Sequence, residues 1–199
     1  MSFFKAIRWA LIAEIVITQI AIAVLLELFR KEESKNYSFS LLVNKYQEKL
    51  YWHIRKLLIS HDDTDDVLQN TFVKIWINLS NFREESQLFT WMYKIASNEA
   101  LGFLRKKSSW ATFSFSSVED YLKQSLRSDP YFKGDEIQLK LQEAILELPE
   151  KQRLVFNMRY FDEMTYDEIS SILDTSVGAL KASYHHAAKK IEEKMLNHL

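Results

Sequence analysis

The sequence predicts an all-α protein made of two small helical domains joined by a linker, and three observations carry that prediction. Glycine and proline are scarce, 3 and 2 in 199 residues, so the turn formers that sheet-rich folds need are missing. Apolar residues recur at spacings of three and four along most of the chain, which is the helical period. Residues 108–135 break that pattern with the serine-rich run SSWATFSFSS, the pair Asp129-Pro130 and Gly134. A break of that length exceeds an ordinary loop and marks a linker.

The elements follow in order. Residues 1–35 stand apart: from Trp9 to Phe29 the chain is almost continuously apolar, flanked by Lys5 and Arg8 before and Arg30-Lys31 after. Such a run is long enough to span a bilayer, but Glu14, Thr18, Gln19 and Glu27 interrupt it. The Ala21-x-Ala23 pair is a poor export site because Val24-Leu25-Leu26 continues the apolar run past it. Three readings stay open for this segment: an extra helix packed on the following domain, a membrane tether, or a stretch absent from the native product.

Residues 36–107 read as several amphipathic helices. Leu41, Leu42, Tyr46, Leu50, Ile54, Leu57 and Leu58 form one apolar face. After the acidic run Asp62-Asp63-Thr64-Asp65-Asp66, the pairs Val67/Leu68, Thr71/Phe72 and Ile75/Trp76, then Leu79, repeat every four residues. A third helix is expected from near Thr90 to Lys107, with Gly102 as a fault costing about 1 kcal/mol against alanine.

Residues 136–199 are helical again, with one helix over Leu139–Leu148 and another starting at Pro149, where a missing N–H is no loss. Leu154, Val155, Met158 and Phe161 give that helix its apolar face. Thr165-Tyr166-Asp167-Glu168 has the form of a capping box. It opens a short helix to about Leu173, and Asp174-Thr175-Ser176 turns the chain into a last helix from Val177.

The composition also excludes function classes. With no cysteine in the chain, disulfide scaffolds, zinc fingers and thiol catalysis are out. Gly102, Gly134 and Gly178 stand apart instead of clustering as a phosphate-cradling loop requires. His53, His61, His185, His186 and His198 form no HExxH pair, and the acidic run lacks the glycine and distal glutamate of a calcium loop. No GxSxG elbow is present. The chain reads as a non-enzyme that needs no metal and no cofactor. Its net charge of −1 is built from opposed patches: acids at 62–66, Arg105-Lys106-Lys107, and an acid-free stretch over 177–190. Opposed patches imply two kinds of partner.

Three constellations carry function. In the last helix Val177, Leu180, Tyr184, Ala187 and Ile191 make one apolar stripe, while Lys181, His185 and Lys189 fall at i, i+4 and i+8 on another face. An apolar back with a basic front suits the major groove, and Ser176 can cap the helix; a solvated basic helix fits the same pattern. In the helix over 90–107, Trp91, Lys94, Asn98, Leu101 and Arg105 share a stripe, with Tyr93 alongside. Aromatics among cations and an amide can stack unpaired bases, or Trp91 and Tyr93 belong to the core. Asp65 and Asp66 with Gln69 begin a helix, where the dipole alone accounts for acids, and residues such as Phe72 and Trp76 are more often core than contact.

Taken together, DDTDDVLQNTFVKIW (62–76) and NFREESQLFTWMYKIASNEALGFLRKK (81–107) resemble the second conserved region of sigma-70 family transcription initiation factors. The run LPEKQRLVFNMRYFDEMTYDEISSILDTSVGALKASYHHAAKKI (148–191) resembles that family's fourth region. The short linker resembles the extracytoplasmic-function (ECF) group. The resemblance implies region 2 over 36–107, a linker over 108–135, and region 4 over 136–199. It implies that Asp65, Asp66, Gln69, Phe72 and Trp76 engage bacterial core RNA polymerase. Trp91, Tyr93, Lys94 and Asn98 would read the melted −10 element of promoter DNA, with Asn98 near a flipped base and Arg105, Lys106 and Lys107 on phosphates. Lys181, Ala182, Ser183 and His185 would face the −35 element, with Ser176, His186, Lys189 and Lys190 on phosphates. Many relatives carry arginine at 181, 183 and 186, so bidentate guanine geometry is given up here.

The resemblance also implies an anti-sigma partner, a cytoplasmic location, and promoter-directed initiation with assisted strand opening. Inner-membrane attachment through residues 1–35 belongs to the tether reading. Two rivals are a free-standing helix-turn-helix regulator, which would bind its DNA tightly alone, and a membrane-attached helical adaptor, indifferent to Lys181→Ala.

Overall fold

A computed structural model of the protein describes residues 19–110, 118–131 and 136–196. Among the described residues every regular element is helical. Residues 19–30 form α1, followed by α2 (Lys35–Leu58), α3 (His61–Asn78) with a 3-10 turn at Leu79–Asn81, and α4 (Leu88–Trp110). Then come α5 (Val118–Ser128), α6 (Glu136–Leu146), α7 (Glu150–Tyr160), α8 (Tyr166–Leu173) and α9 (Val177–Leu196).

The first half is a bundle of α2, α3 and α4, each in contact with the other two. The expected apolar stripes face inward: Leu42, Tyr46, Leu50, Ile54, Leu57 and Leu58 of α2 meet Val67, Ile75 and Leu79 behind α3, whereas Leu41 lies outside. Ser60 caps α3 by accepting from the Asp63 N–H at 3.3 Å, which satisfies one of the free donors of the first turn. The third helix starts two residues earlier than its periodicity indicated, at Leu88, because Leu88 is itself buried against the bundle.

Part of the N-terminal segment is a packed helix. Leu26 and Phe29 of α1 are buried in the same core, and Phe29 lies edge-on to Trp76 of α3 with centroids 5.2 Å apart. Arg30 joins Glu84 in the loop before α4 at 3.3 Å. Residues 1–18, which hold the first ten residues of the apolar run, are outside the described residues. Among those described, no helix is long and apolar enough to cross a membrane.

The second half packs α7 against α9 and α8 against α9, with α6 behind. The capping box forms as the sequence indicated: Thr165 Oγ1 accepts from the Glu168 N–H, and Glu168 Oε2 accepts from the Thr165 N–H at 2.7 Å. Pro149 is the residue just before α7. The preceding helix ends at Leu146, two residues short of the expected Leu148, and runs back to Glu136.

The segment 108–135 is partly helical. It contains α5, whose Leu122 and Leu126 are fully buried, and this helix packs on α6 and α4. Val118, Tyr121, Leu122, Ser125 and Leu126 do repeat at helical spacing, but the serine-rich run before them masks a pattern only three turns long. Residues 111–117 and 132–135 lie outside the described residues.

The two halves touch. Region-spanning contacts run from α2 to α7 and from α4 to α8, and Leu154, Val155, Met158, Met164, Ile169 and Ile172 belong to one apolar cluster with the first bundle.

Candidate functional site

Three surfaces carry the residues singled out by sequence. The first is the outer face of α3. Asp65, Asp66 and Gln69 are exposed, and Phe72 and Trp76 are half-buried at the rim of the bundle. One turn further, Val73 and Ile77 stand in solvent at 51% and 63% exposure. With Phe39 and Val43 of α2, the residues Gln69, Phe72, Val73 and Trp76 line an apolar groove. Its floor is an aromatic cluster in which Phe39 meets Trp76 edge-on at 4.9 Å, and Lys35 Nζ covers the Trp76 ring at 5.1 Å. Acids at one end and apolar side chains at the other suit an amphipathic protein surface with a basic edge. Sequence periodicity missed Val73 and Ile77 because they lie outside the two inward rows, on the 69/73/77 row of α3; two apolar residues four apart on an otherwise polar face were the available signal.

Not all of the acidic run is free for such a role. Asp63 accepts from Lys107 Nζ at 2.8 Å and from the Tyr121 hydroxyl, tying α3 to α4 and α5. Burial would lower the Lys107 ammonium, but its bonds to Asp63 and Tyr121 outweigh that and raise it. Lys107 therefore has a structural partner in addition to its expected place near phosphates.

The second surface is α4. Asn98 and Arg105 are exposed and line a groove with Gly102, Phe103 and Lys106 of α4 and Val67, Asn70 and Lys74 of α3. Glu99 holds Lys74 at 2.5 Å across the same groove. Trp91 is half-buried and leans on Phe82 at 5.2 Å. Tyr93 corrects the expectation: it is 2% exposed, its ring packed 4.1 Å from His53 and 4.9 Å from Phe89. Burial, with Asp162 nearby, holds its phenol far above the usual range. A ring so enclosed stacks on its own core and leaves no face for a base. Lys94 is bound by Asp174 of the second half, Nζ to Oδ2 at 2.6 Å, and Arg105 approaches Glu150 at 4.0 Å.

The third surface is α9. Leu180, Ala187 and Ile191 are buried with Val177 and Tyr184 at the margin, while Lys181, Ala182, His185, His186, Lys189 and Lys190 are exposed. Ser183 is half-buried beside Tyr184. Ser176 accepts from the Ala179 N–H at 3.4 Å, so it starts the helix. Tyr184 stacks on Phe156 of α7 at 5.6 Å, which fixes the rotation of α9 and turns its cations outward. Lys181 lies 5.8 Å from the centre of the Tyr166 ring, and Lys190 donates to Gln152 at 3.2 Å. Asp174, with φ of 50°, makes the tight turn between α8 and α9. A cation-bearing helix presented by a preceding short helix is the helix-turn-helix geometry for the major groove.

Among the described residues no cluster of His, Asp or Glu is placed to hold a metal ion.

Comparison with known proteins matches two parts of the chain. Residues 42–109 match the family described as Sigma-70 region 2, and residues 138–191 match Sigma-70, region 4. The RNA polymerase sigma-H factor of Pseudomonas aeruginosa is 28% identical over 174 residues, covering 83% of this chain and 90% of that one. The ECF RNA polymerase sigma-E factor of Escherichia coli is 29% identical over 185 residues, covering 89% and 95%. Among solved structures, the sigma factor RpoE of Bartonella quintana, in complex with the anti-sigma factor NepR, superposes with a TM-score of 0.65 at 21% identity, covering 79% of this chain and 96% of that one. CnrH, in complex with the cytosolic domain of CnrY, gives 0.63 at 20%, covering 87% and 96%.

Proposed function

The chain belongs to the sigma-70 family, in its extracytoplasmic-function group, and as a sigma factor it directs core RNA polymerase to promoters; we propose that it does so through the three surfaces described above. The observation that carries this assignment is the exposed cationic face of α9, set by a helix-turn-helix, in one chain with the acidic-apolar face of α3. A lone DNA-binding regulator has no use for the second of these.

In this reading Asp65, Asp66, Gln69, Phe72 and Trp76, joined by Val73 and Ile77, bind core polymerase. Ser176, Lys181, Ala182, Ser183, His185, His186, Lys189 and Lys190 meet the −35 element. Trp91, Lys94, Asn98, Arg105, Lys106 and Lys107 hold the melted −10 strand; Tyr93 supports them from within the core. Strand opening is a population shift, because the α4 surface binds the unpaired strand better than the duplex. The factor contributes binding and no bond-making step of its own, and its place is the cytoplasm, where polymerase and promoter are. We extend to it an anti-sigma partner of the kind seen with its structural relatives.

The test is to add the purified full chain to bacterial core polymerase and score co-elution on a sizing column and promoter-dependent transcripts. Co-elution with defined new start sites is expected. A folded chain that neither co-elutes nor redirects initiation overturns the reading. Within the complex, Asn98→Ala should lower permanganate reactivity of the −10 region while leaving duplex engagement near wild type.

A further inference from the structure

Two arginines are buried among the described residues, and the fold treats them differently. Arg55 of α2, 4% exposed, is paired with the carboxylate of Asp129. Arg153 of α7 is 6% exposed, yet it forms no ion pair among the described residues. Its one hydrogen bond among them runs from Nη1 to the Leu146 carbonyl oxygen at 3.3 Å, and Nε is buried without an acceptor. Leu146 closes α6, so the negative end of that helix gives partial compensation. A guanidinium stays charged, and one neutral carbonyl does not replace a counter-ion in the interior. Burial pulls Arg153 below its usual range, and the charges of Glu150 and Glu119 offset this only in part. Both acids are engaged elsewhere: Glu119 holds Lys123 at 2.7 Å, and Glu150 lies 4.0 Å from Arg105.

Arg153 borders a cavity of about 260 Å³ where α4, α5 and α7 meet the end of α6. The inner wall is otherwise aliphatic: Leu104, Val118, Leu122, Leu146 and Leu148, of which all but Val118 are at most 5% exposed. Glu119, Glu150 and Arg105, all exposed, complete the lining on the solvent side. At ~30 Å³ per water the space holds about nine waters, or one molecule of about eight non-hydrogen atoms.

The wall chemistry narrows what that molecule is. A guanidinium presents paired N–H donors that match the two oxygens of a carboxylate. A phosphate would turn its remaining oxygens onto leucine side chains, where nothing satisfies them. An amine would set a second cation beside a buried one. An aliphatic chain on the carboxylate gains by leaving water for those leucines.

We infer that this cavity binds a small aliphatic monocarboxylate of about four to six carbons, with its carboxylate on Arg153 and its chain against Leu104, Leu122 and Leu148. The ligand supplies the anion that the chain itself does not, and makes the factor a receptor for a small organic acid. Apart from Arg105 at its rim, the site shares no residue with the surfaces proposed for polymerase and promoter, and it does not rest on their roles.

Hexanoate, with about eight non-hydrogen atoms, is the probe. It is titrated into the isotope-labelled full chain while the Arg153 Nε–H resonance, assigned by through-bond connection to its own backbone, is followed. Hexylamine and inorganic phosphate are titrated in parallel. Hexanoate should give a saturable shift with a dissociation constant on the order of 1 mM, and neither control should saturate. Val118→Phe, which adds a ring to the cavity wall, should weaken hexanoate binding at least about tenfold with an unchanged circular dichroism spectrum. No saturable shift with hexanoate overturns the inference and leaves Arg153 as a cap on α6. An equal response to phosphate or hexylamine overturns it too, as does undiminished binding by folded Val118→Phe. If that variant unfolds, the comparison of the three probes on the wild-type chain decides alone.

Discussion

At Gly102 an added Cβ would meet only the flexible end of Arg105, at 3.9 Å. The site has room for alanine, and glycine inside α4 sacrifices helix propensity. Gly102→Ala should stabilise the protein by about 1 kcal/mol, read as a higher urea midpoint with unchanged slope. Since Gly102 lies in the groove with Asn98, Arg105 and Lys106, the same variant should bind single strands less well if the strand runs along this floor. Tyr93 gives the opposite contrast. Its ring is held by His53 and Phe89, so Tyr93→Phe should leave permanganate reactivity at the promoter near wild type, whereas Asn98→Ala lowers it. Sequence spacing set Tyr93 alongside the stripe of Trp91, Lys94 and Asn98; whether it faced inward depended on a histidine forty residues away in α2.

Among the elements, α5 and α8 are held by different means, and each can be tested by one substitution. Leu126 is fully buried in the cluster that joins α5 to its neighbours. Leu126→Ala should cost about 2–5 kcal/mol, measured by chemical denaturation, whereas a solvated linker would lose almost nothing. For α8, Thr165→Ala removes the side-chain half of the capping box. About 1 kcal/mol should be lost, with the loss concentrated in amide exchange of α8. The capping box was legible because its donors and acceptors lie within four residues. The burial of α5 was not, because its partners are residues of α4 and α6 whose proximity no local pattern records.

On the scale of the whole molecule, the Asp162 contact with α2 makes stability depend on pH. Burial alone would raise this carboxyl, but the hydrogen bonds and charge of His53 and Lys56 outweigh it and bring it down to about 2. A carboxyl held below its unfolded value of about 3.9 stabilises the fold above that pH, and the contribution disappears as pH falls toward 2. The wild type should thus lose about 2 kcal/mol from this group on acidification. Asp162→Asn should be less stable at neutral pH and show a shallower loss between pH 5 and 2 in denaturant titrations. The sequence by itself determined α2, α3, α4 and α6 to α9, the inward face of α2, α3, α7 and α9, the cationic front of α9 and the order of the two regions. All of these follow from spacings of three and four and from capping residues, which act over one or two turns. Only the tertiary structure decided that Tyr93 turns inward, that α5 is core, and that Lys94 and Arg105 meet Asp174 and Glu150. Those outcomes depend on which faces meet across tens of residues, and periodicity reports that a face is buried without saying against what.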